Sequence, residues 1–205
     1  MTVEVTPAAE ADLTELADVA ARTFPLACPP STGADDVAAF IAENLSAERF
    51  GEYLADSERV ILTARDDHRI SGYAMLIRGV IPDPDVQRAV PLRPAVELSK
   101  MYVLPDAHGA GVSAALMTTA LDTSRALGAA CVWLGVNQEN QRAQRFYAKH
   151  GFAVSGTKTF RLGGHIENDY VMVHALIAHP RPSAPTTATS RAGTSCGTHP
   201  PTSPR

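Results

Sequence analysis

MYVLPDAHGAGVSAALM, residues 101–117, is the stretch from which the fold of this chain can be read. A strand-like run ends at Pro105. Two close glycines follow, and then small and apolar residues at helical spacing. A glycine loop that opens into a helix points successive N–H groups into one concavity. The helix N-terminus adds about half a positive charge, so the arrangement suits a phosphate. Two frames compete. Gly109-x-Gly111-x-x-Ala114 fits the dinucleotide fingerprint G-x-G-x-x-G/A. A second frame, Q/R-x-x-G-x-G/A, suited to a pyrophosphate, is read as His108-x-x-Gly111-x-Ser113, with Gly111 retained. The dinucleotide frame expects its first glycine almost directly after the first strand of a doubly wound sheet. Here Leu104-Pro105-Asp106-Ala107-His108 intervenes, and four strands come before it. Only Glu139, about twenty-five residues on, speaks for that frame.

The elements around the loop follow from periodicity. VEVTPA predicts a short strand. Leu13, Leu16, Val19 and Ala20 recur at helical spacing, with Glu10 and Asp12 in the first turn, where the helix dipole favours them. FPLACPPSTG reads as a loop, and residues 35–56 as two short helices. RVILTARDDHRISGYAMLIRG predicts a hairpin turning at Asp66 to Arg69. ELSKMYVLP is a strand. Residues 112–127 form a helix with Val112, Ala115, Leu116, Thr119, Ala120 and Leu127 on one face, stopped by Gly128. ACVWLGV is a strand, ENQRAQRFYAKHG a helix, and FAVSGTKTFRL and DYVMVHAL two last strands joined through Gly163-Gly164. The expected class is α/β: a single domain with a mixed, mostly antiparallel sheet of about seven strands flanked by helices. Its one parallel pair lies within residues 97–137. The domain should span residues 1–177. Residues 178–205, rich in Pro, Ser and Thr and without large aliphatics, read as a disordered tail.

MYVLPDAHGAGVSAALM, VWLGVNQENQRAQRFYAKHGF and the terminal hairpin together resemble the GNAT family of acetyl-CoA-dependent N-acetyltransferases. The resemblance runs over residues 3–176, including the element order. It implies a co-substrate, acetyl-CoA, whose pyrophosphate rests on His108, Gly109, Ala110, Gly111, Val112, Ser113 and Ala114. Two positions depart from the family's pattern. His108 stands where Gln or Arg is usual, and Ser113 where Gly or Ala is usual. Backbone N–H groups carry most of such a contact, so the changes should weaken binding rather than abolish it.

The resemblance also implies the chemistry. Asn140 would hold the pantetheine arm, and Tyr147, seven residues on, would serve the departing sulfur as acid. A phenol with pKa about 10 gives its proton to a thiolate of about 8.5 only uphill, so Tyr147 is expected to act chiefly as a hydrogen-bond donor to developing charge. The strand carrying Met101 and Val103 would splay from CVWLGVN and pair its backbone with pantetheine. Glu97 is the implied base. A base is needed because an amine of pKa about 10.4 is neutral in only about one part in 2,500 at pH 7. Transfer would be direct, without a covalent enzyme intermediate. The C-terminal run further resembles the bacterial polyamine branch, for which Asp35, Asp36, Glu43, Glu48 and Glu52 would form an acidic pocket mouth or simply solvated helix faces. A non-catalytic acyl-CoA-binding module and a protein acetyltransferase are the alternatives.

Bulk composition narrows the field further. The 205 residues carry a net charge of −4, without the basic patch that nucleic-acid binding needs. No apolar run reaches membrane-spanning length, and MTVEVTPAAEADLTEL lacks the basic start of a signal peptide. A cytoplasmic protein acting on a small-molecule amine is expected, with no nucleic-acid or membrane partner. A homodimer is compatible with the resemblance. Cys28, Cys131 and Cys196 are far apart and read as reduced thiols. His165, Glu167 and Asp169 read as a polar hairpin rather than metal ligands, and no metal is expected.

Overall fold

A computed structural model describes residues 3–29, 32–66, 68–162 and 165–176. Seven strands run β1 Glu4–Pro7, β2 Arg59–Asp66, β3 Arg69–Arg78, β4 Ala95–Val103, β5 Cys131–Asn137, β6 Ala153–Leu162 and β7 His165–Ala175. Six α-helices run α1 Leu13–Thr23, α2 Ala34–Asn44, α3 Ala47–Ala55, α4 Pro84–Ala89, α5 Val112–Ala126 and α6 Gln141–Lys149. The strands form one sheet in the order β1-β2-β3-β4-β5-β7-β6. Every neighbouring pair is antiparallel except β4 and β5. The expected class and its parallel pair are both present. The expected tail at 178–205 and the Gly163-Gly164 joint lie outside the described residues.

Local sequence explains the helix starts. Asp12 accepts from the Ala9 N–H at 2.9 Å ahead of α1, and Ser46 caps α3 through the Arg49 N–H at 3.2 Å. Helix α4 is an addition to the sequence expectation. Asp83 accepts from the Asp85 and Val86 N–H groups at 2.8 and 3.1 Å, and Pro84 occupies the first turn. Its six residues are too few for a hydrophobic period to show. Phe24–Ala27, read as loop, makes a 3₁₀ turn. The buried stripe of α5 runs through Val112, Leu116, Met117, Ala120, Leu121 and Ser124. It therefore takes in Met117 and Leu121 rather than the expected Ala115 and Thr119.

Both faces of the sheet are covered. Leu116 of α5 lies against Gly72 of β3 on one face. On the other, the Phe50 ring of α3 meets Tyr73 edge-on at 5.6 Å, and Phe24 meets Tyr102 at 6.4 Å. A second core forms where α4 brings Val86, Ala89 and Val90 onto Cys131, Trp133 and Val171. The Trp133 indole is fully buried and donates to Gly79 O at 3.0 Å. No helix among the described residues is long and apolar enough to cross a membrane.

Candidate active site

Strands β4 and β5 pair only at Ala95–Cys131, Val96–Val132 and Glu97–Trp133. Beyond Glu97 they part, as the family resemblance implied, leaving one edge of β4 without a strand partner among the described residues. Leu104 N–H donates to Ser71 O at 2.8 Å on the β3 side. Backbone groups alternate sides along an antiparallel strand, so Val103, and likewise Met101, directs its N–H and carbonyl into the cleft.

The glycine loop at residues 108–111 closes that cleft at one end. Gly109 and Gly111 have φ of +86° and +83°, a conformation that glycine adopts without the strain a side chain brings. A Cβ at either position would meet nothing within 4 Å, so the space above the loop is open. The N–H groups of His108 and Ala110 are already spent on Pro105 O and Ala107 O. Those of Gly109, Gly111, Val112, Ser113 and Ala114 have no partner among the described residues. The Val112 side chain is buried, Ser113 is half-buried, and Ala114 is exposed.

His108 turns away from the loop concavity. Its Nε2 lies 3.1 Å from Val103 O, and Arg142 Nη2 lies 3.2 Å from its Nδ1. Arginine can only donate, so Nδ1 accepts and Nε2–H donates to the carbonyl. The ring links the loop, the end of β4 and the first turn of α6.

Asn140 is the N-cap of α6, its Oδ1 accepting from the Ala143 N–H at 3.0 Å. Two cavities meet at this helix. One, of about 210 Å³, runs past Val103, His108, Ser113 and Arg142. The other, of about 310 Å³, runs past Glu97, Lys100, Lys158, Glu167 and Asp169, with Phe24, Phe40 and Leu45 on its apolar side. Met101, Tyr102, Asn140, Ala143 and Tyr147 line both. Tyr147 is half-buried among Phe146 and Phe152, with ring centroids 5.6 and 5.9 Å away. Burial pushes its hydroxyl up to about 12.

The larger cavity holds charges of both signs. Burial raises the Glu97 carboxyl above the ordinary carboxylate range, partly offset by Lys158, Lys100 and Arg59. Burial lowers Lys100 to about 8, with Glu97 opposing. Asp169 is likewise raised by burial and pairs with Lys158 at 3.3 Å. Asn137 Nδ2 donates to Glu167 at 3.1 Å, while its Oδ1 accepts from the Glu139 N–H at 2.8 Å. Gln144 donates to the carbonyls of Asn137 and Gln138, tying α6 to the end of β5.

Glu97, Met101, Val103, His108, Ser113, Asn140 and Tyr147 are therefore brought together along the two cavities. The acidic residues of α2 and α3 are not: Asp35, Asp36, Glu43, Glu48 and Glu52 are absent from both linings. The sequence reading missed Lys100, Lys158, and the cavity role of Glu167 and Asp169. Asp169 carried a signal, as a carboxylate opening a predicted strand; Glu167 did not, because it was read as part of the turn, whereas β7 begins already at His165. Among the described residues, no three His, Cys, Asp or Glu side chains cluster as metal ligands.

The acetyltransferase (GNAT) family pattern matches residues 18–152. An uncharacterized N-acetyltransferase of Mycobacterium tuberculosis is 60% identical over 166 residues, which is 81% of this chain and 99% of that protein. The PaiA N-acetyltransferase from Thermoplasma acidophilum, crystallised with coenzyme A, superposes with a TM-score of 0.68 at 20% identity, covering 86% of this chain and 100% of that one. An acetyltransferase of the same family from Streptococcus pneumoniae superposes at 0.59 with 17% identity, covering 85% and 99%.

Proposed function

The chain belongs to the acetyltransferase (GNAT) family and is an acetyl-CoA-dependent acyltransferase; from that premise we propose that it moves the acetyl group directly onto the amine of a small molecule, with Tyr147 and Glu97 as its catalytic residues. The observation that carries this reading is the meeting of the two cavities at Asn140 and Tyr147. One cavity leads to the phosphate loop and would take the cofactor. The other leads to Glu97 and would take the acceptor.

The free N–H groups of Gly109, Gly111, Val112, Ser113 and Ala114 suit the pyrophosphate. The cleft-facing backbone of Met101 and Val103 suits the amide-rich pantetheine arm. Asn140 spends its oxygen on the helix cap, which leaves its NH₂ for that arm. His108 contributes indirectly, by presenting Arg142 beside the loop.

Glu97 takes a proton from the acceptor ammonium, directly or through water, and its raised pKa makes it a stronger base than an exposed carboxylate. The amine nitrogen attacks the thioester carbon. The new C–N bond forms as the C–S bond breaks, sulfur leaves with the electron pair, and the acylated nitrogen sheds its remaining extra proton to water. Tyr147, held near 12, is poorly suited to surrender its proton: transfer to a thiolate of about 8.5 is unfavourable by about 10³–10⁴. Its O–H is suited to hydrogen-bond the charge growing on sulfur, and the proton that completes the thiol follows later from solvent.

The polyamine acceptor finds no support in the relatives, and Lys100 stands on the cavity wall beside Glu97, Glu167 and Asp169, so the wall is of mixed charge rather than purely acidic. The test is thiol release from acetyl-CoA across amino acids, polyamines, aminoglycosides and arylamines, with Tyr147→Phe in parallel. The variant should lose about 10²-fold in kcat while acetyl-CoA still protects it against heat. An unchanged kcat would remove Tyr147 from the chemistry.

A further inference from the structure

Glu97 and Lys100 are three positions apart, a spacing that would normally put them on opposite faces of a strand. A register shift between Met75 and Leu76 changes this. Glu97 lies opposite Ile77, Leu98 opposite Leu76 and Lys100 opposite Met75, so β4 carries one extra residue, Ser99. The bulge returns Lys100 to the face of Glu97, and both line the larger cavity.

Two charges of that cavity, Glu97 and Lys100, make no ion pair or hydrogen bond among the described residues, and they act on each other only through space. Lys158 pairs with Asp169 at 3.3 Å. Glu167 accepts from Asn137. Nearby Arg59 is paired with Asp56 at 2.9 Å. The Lys100 Nζ stands 5.8 Å from the Tyr53 ring centroid, and the Arg59 guanidinium lies 4.7 Å from the same ring. A half-buried ammonium with Glu97 near it but no carboxylate in contact is a costly arrangement that an incoming anion would relieve. Across the cavity, Phe24 and Phe40 stack at 4.4 Å and offer an apolar wall. The volume, about 310 Å³, is at the small end for ligand pockets.

We propose that the acceptor is an amino-carboxylate, a small molecule bearing a carboxylate beside its amine, and that Lys100 anchors that carboxylate while Glu97 faces the amine. The inference rests on the acceptor assignment made above. A bound carboxylate would give Lys100 the direct contact that Glu97 does not make and raise its lowered pKa. A polyamine would instead set a like charge against Lys100, since Lys158 is already paired with Asp169.

The test compares the standard amino acids with their carboxamides and their decarboxylated amines, in thiol release from acetyl-CoA and in thermal-shift binding in the presence of coenzyme A. Wild type, Lys100→Met and Lys100→Arg are run side by side, with unfolding curves to verify that each is folded. The acid should exceed its amide at least tenfold in kcat/KM. That ratio should fall toward one in Lys100→Met, chiefly through KM, and return in part in Lys100→Arg. Amides or decarboxylated amines that turn over as well as the acids would overturn the proposal and leave the acetyltransferase reading intact. So would an acid-to-amide ratio that Lys100→Met does not change. Carboxylate-selective binding that depends on Lys100, with no turnover of any amine, would sustain the anchor and refute small-molecule transfer. Neither binding selectivity nor turnover would refute both.

Discussion

Lys158 of β6 and Gly135 of β5 share a space that only glycine leaves open. A Cβ on Gly135 would press on Lys158 Cε, stand 3.1 Å from its Nζ, and lie 3.2 Å from Asp169 Oδ2. Lys158 thus reaches across β7, pairs with Asp169 on the way, and delivers its charge above β5 into the acceptor cavity. Gly135→Ala should expel it and leave Asp169 without a partner, destabilising the chain by about 1–3 kcal/mol. In a Lys158→Ala background the same change should cost much less, because the clash is gone. Denaturant unfolding of the four proteins measures the coupling, and strictly additive losses would refute it.

Arg142 reaches the phosphate loop through His108, 3.2 Å away. Guanidinium groups suit phosphate, so Arg142→Ala should weaken acetyl-CoA binding about tenfold, or about 1.4 kcal/mol. Pantetheine, which lacks the pyrophosphate, should lose little. Calorimetric titration of both ligands decides. An equal loss for both would place Arg142 outside phosphate recognition.

The α/β class and the parallel pair were legible because each rests on local pattern: alternation in the strands, helical spacing in α1, α5 and α6, and the glycines at 109 and 111; the parting of β4 from β5 was legible only through the family resemblance. Tyr147 and Asn140 were legible through their motif. Lys100 was not, because alternation sends it to the opposite face from Glu97, and the bulge at Ser99 that reverses this depends on pairing with β3. Lys158 was not, because its place in the cavity depends on a glycine two strands away. Helix α4 was too short to show a period. The contacts that charge the acceptor cavity are non-local, and that is where the polyamine expectation went unsupported.

Burial raises Glu97, and a base works only when ionised. The value of kcat/KM should therefore fall as pH drops through a limb above the ordinary Glu pKa of about 4.3. The amine's own ionisation adds a second dependence at higher pH. Glu97→Gln should lower kcat by about 10²-fold or more and keep only the amine's limb. A pH–rate profile of identical shape in the variant would take the base role from Glu97.

Lys100 titrates near 8 when folded and near 10.4 when unfolded, with Glu97, Arg59 and Tyr53 facing it. Between those values the unfolded chain holds the extra proton, so stability should rise with pH from about 8 to about 10. Below 8 the charged group burdens the fold in full. Allowing for partial exposure, the gain is about 1–3 kcal/mol. Lys100→Met should be more stable than wild type at neutral pH by a similar amount, and its advantage should shrink as pH rises. Unfolding free energies at several pH values check this, and parallel curves for the two proteins would contradict it.

Tyr73 is fully buried and its hydroxyl has no hydrogen-bond partner. Its ring packs between Phe50 at 5.6 Å and Tyr102 at 5.7 Å. The hydroxyl was desolvated on folding and received nothing in exchange, a loss of about 1–3 kcal/mol for an unsatisfied group. Tyr73→Phe keeps the ring contacts and removes the stranded group, so it should leave the midpoint of thermal unfolding unchanged or raise it by a few degrees. The same substitution at a well-bonded tyrosine lowers stability. A drop of more than about 1 kcal/mol in Tyr73→Phe would mean that this hydroxyl has a partner in solution, with a buried water as the first candidate.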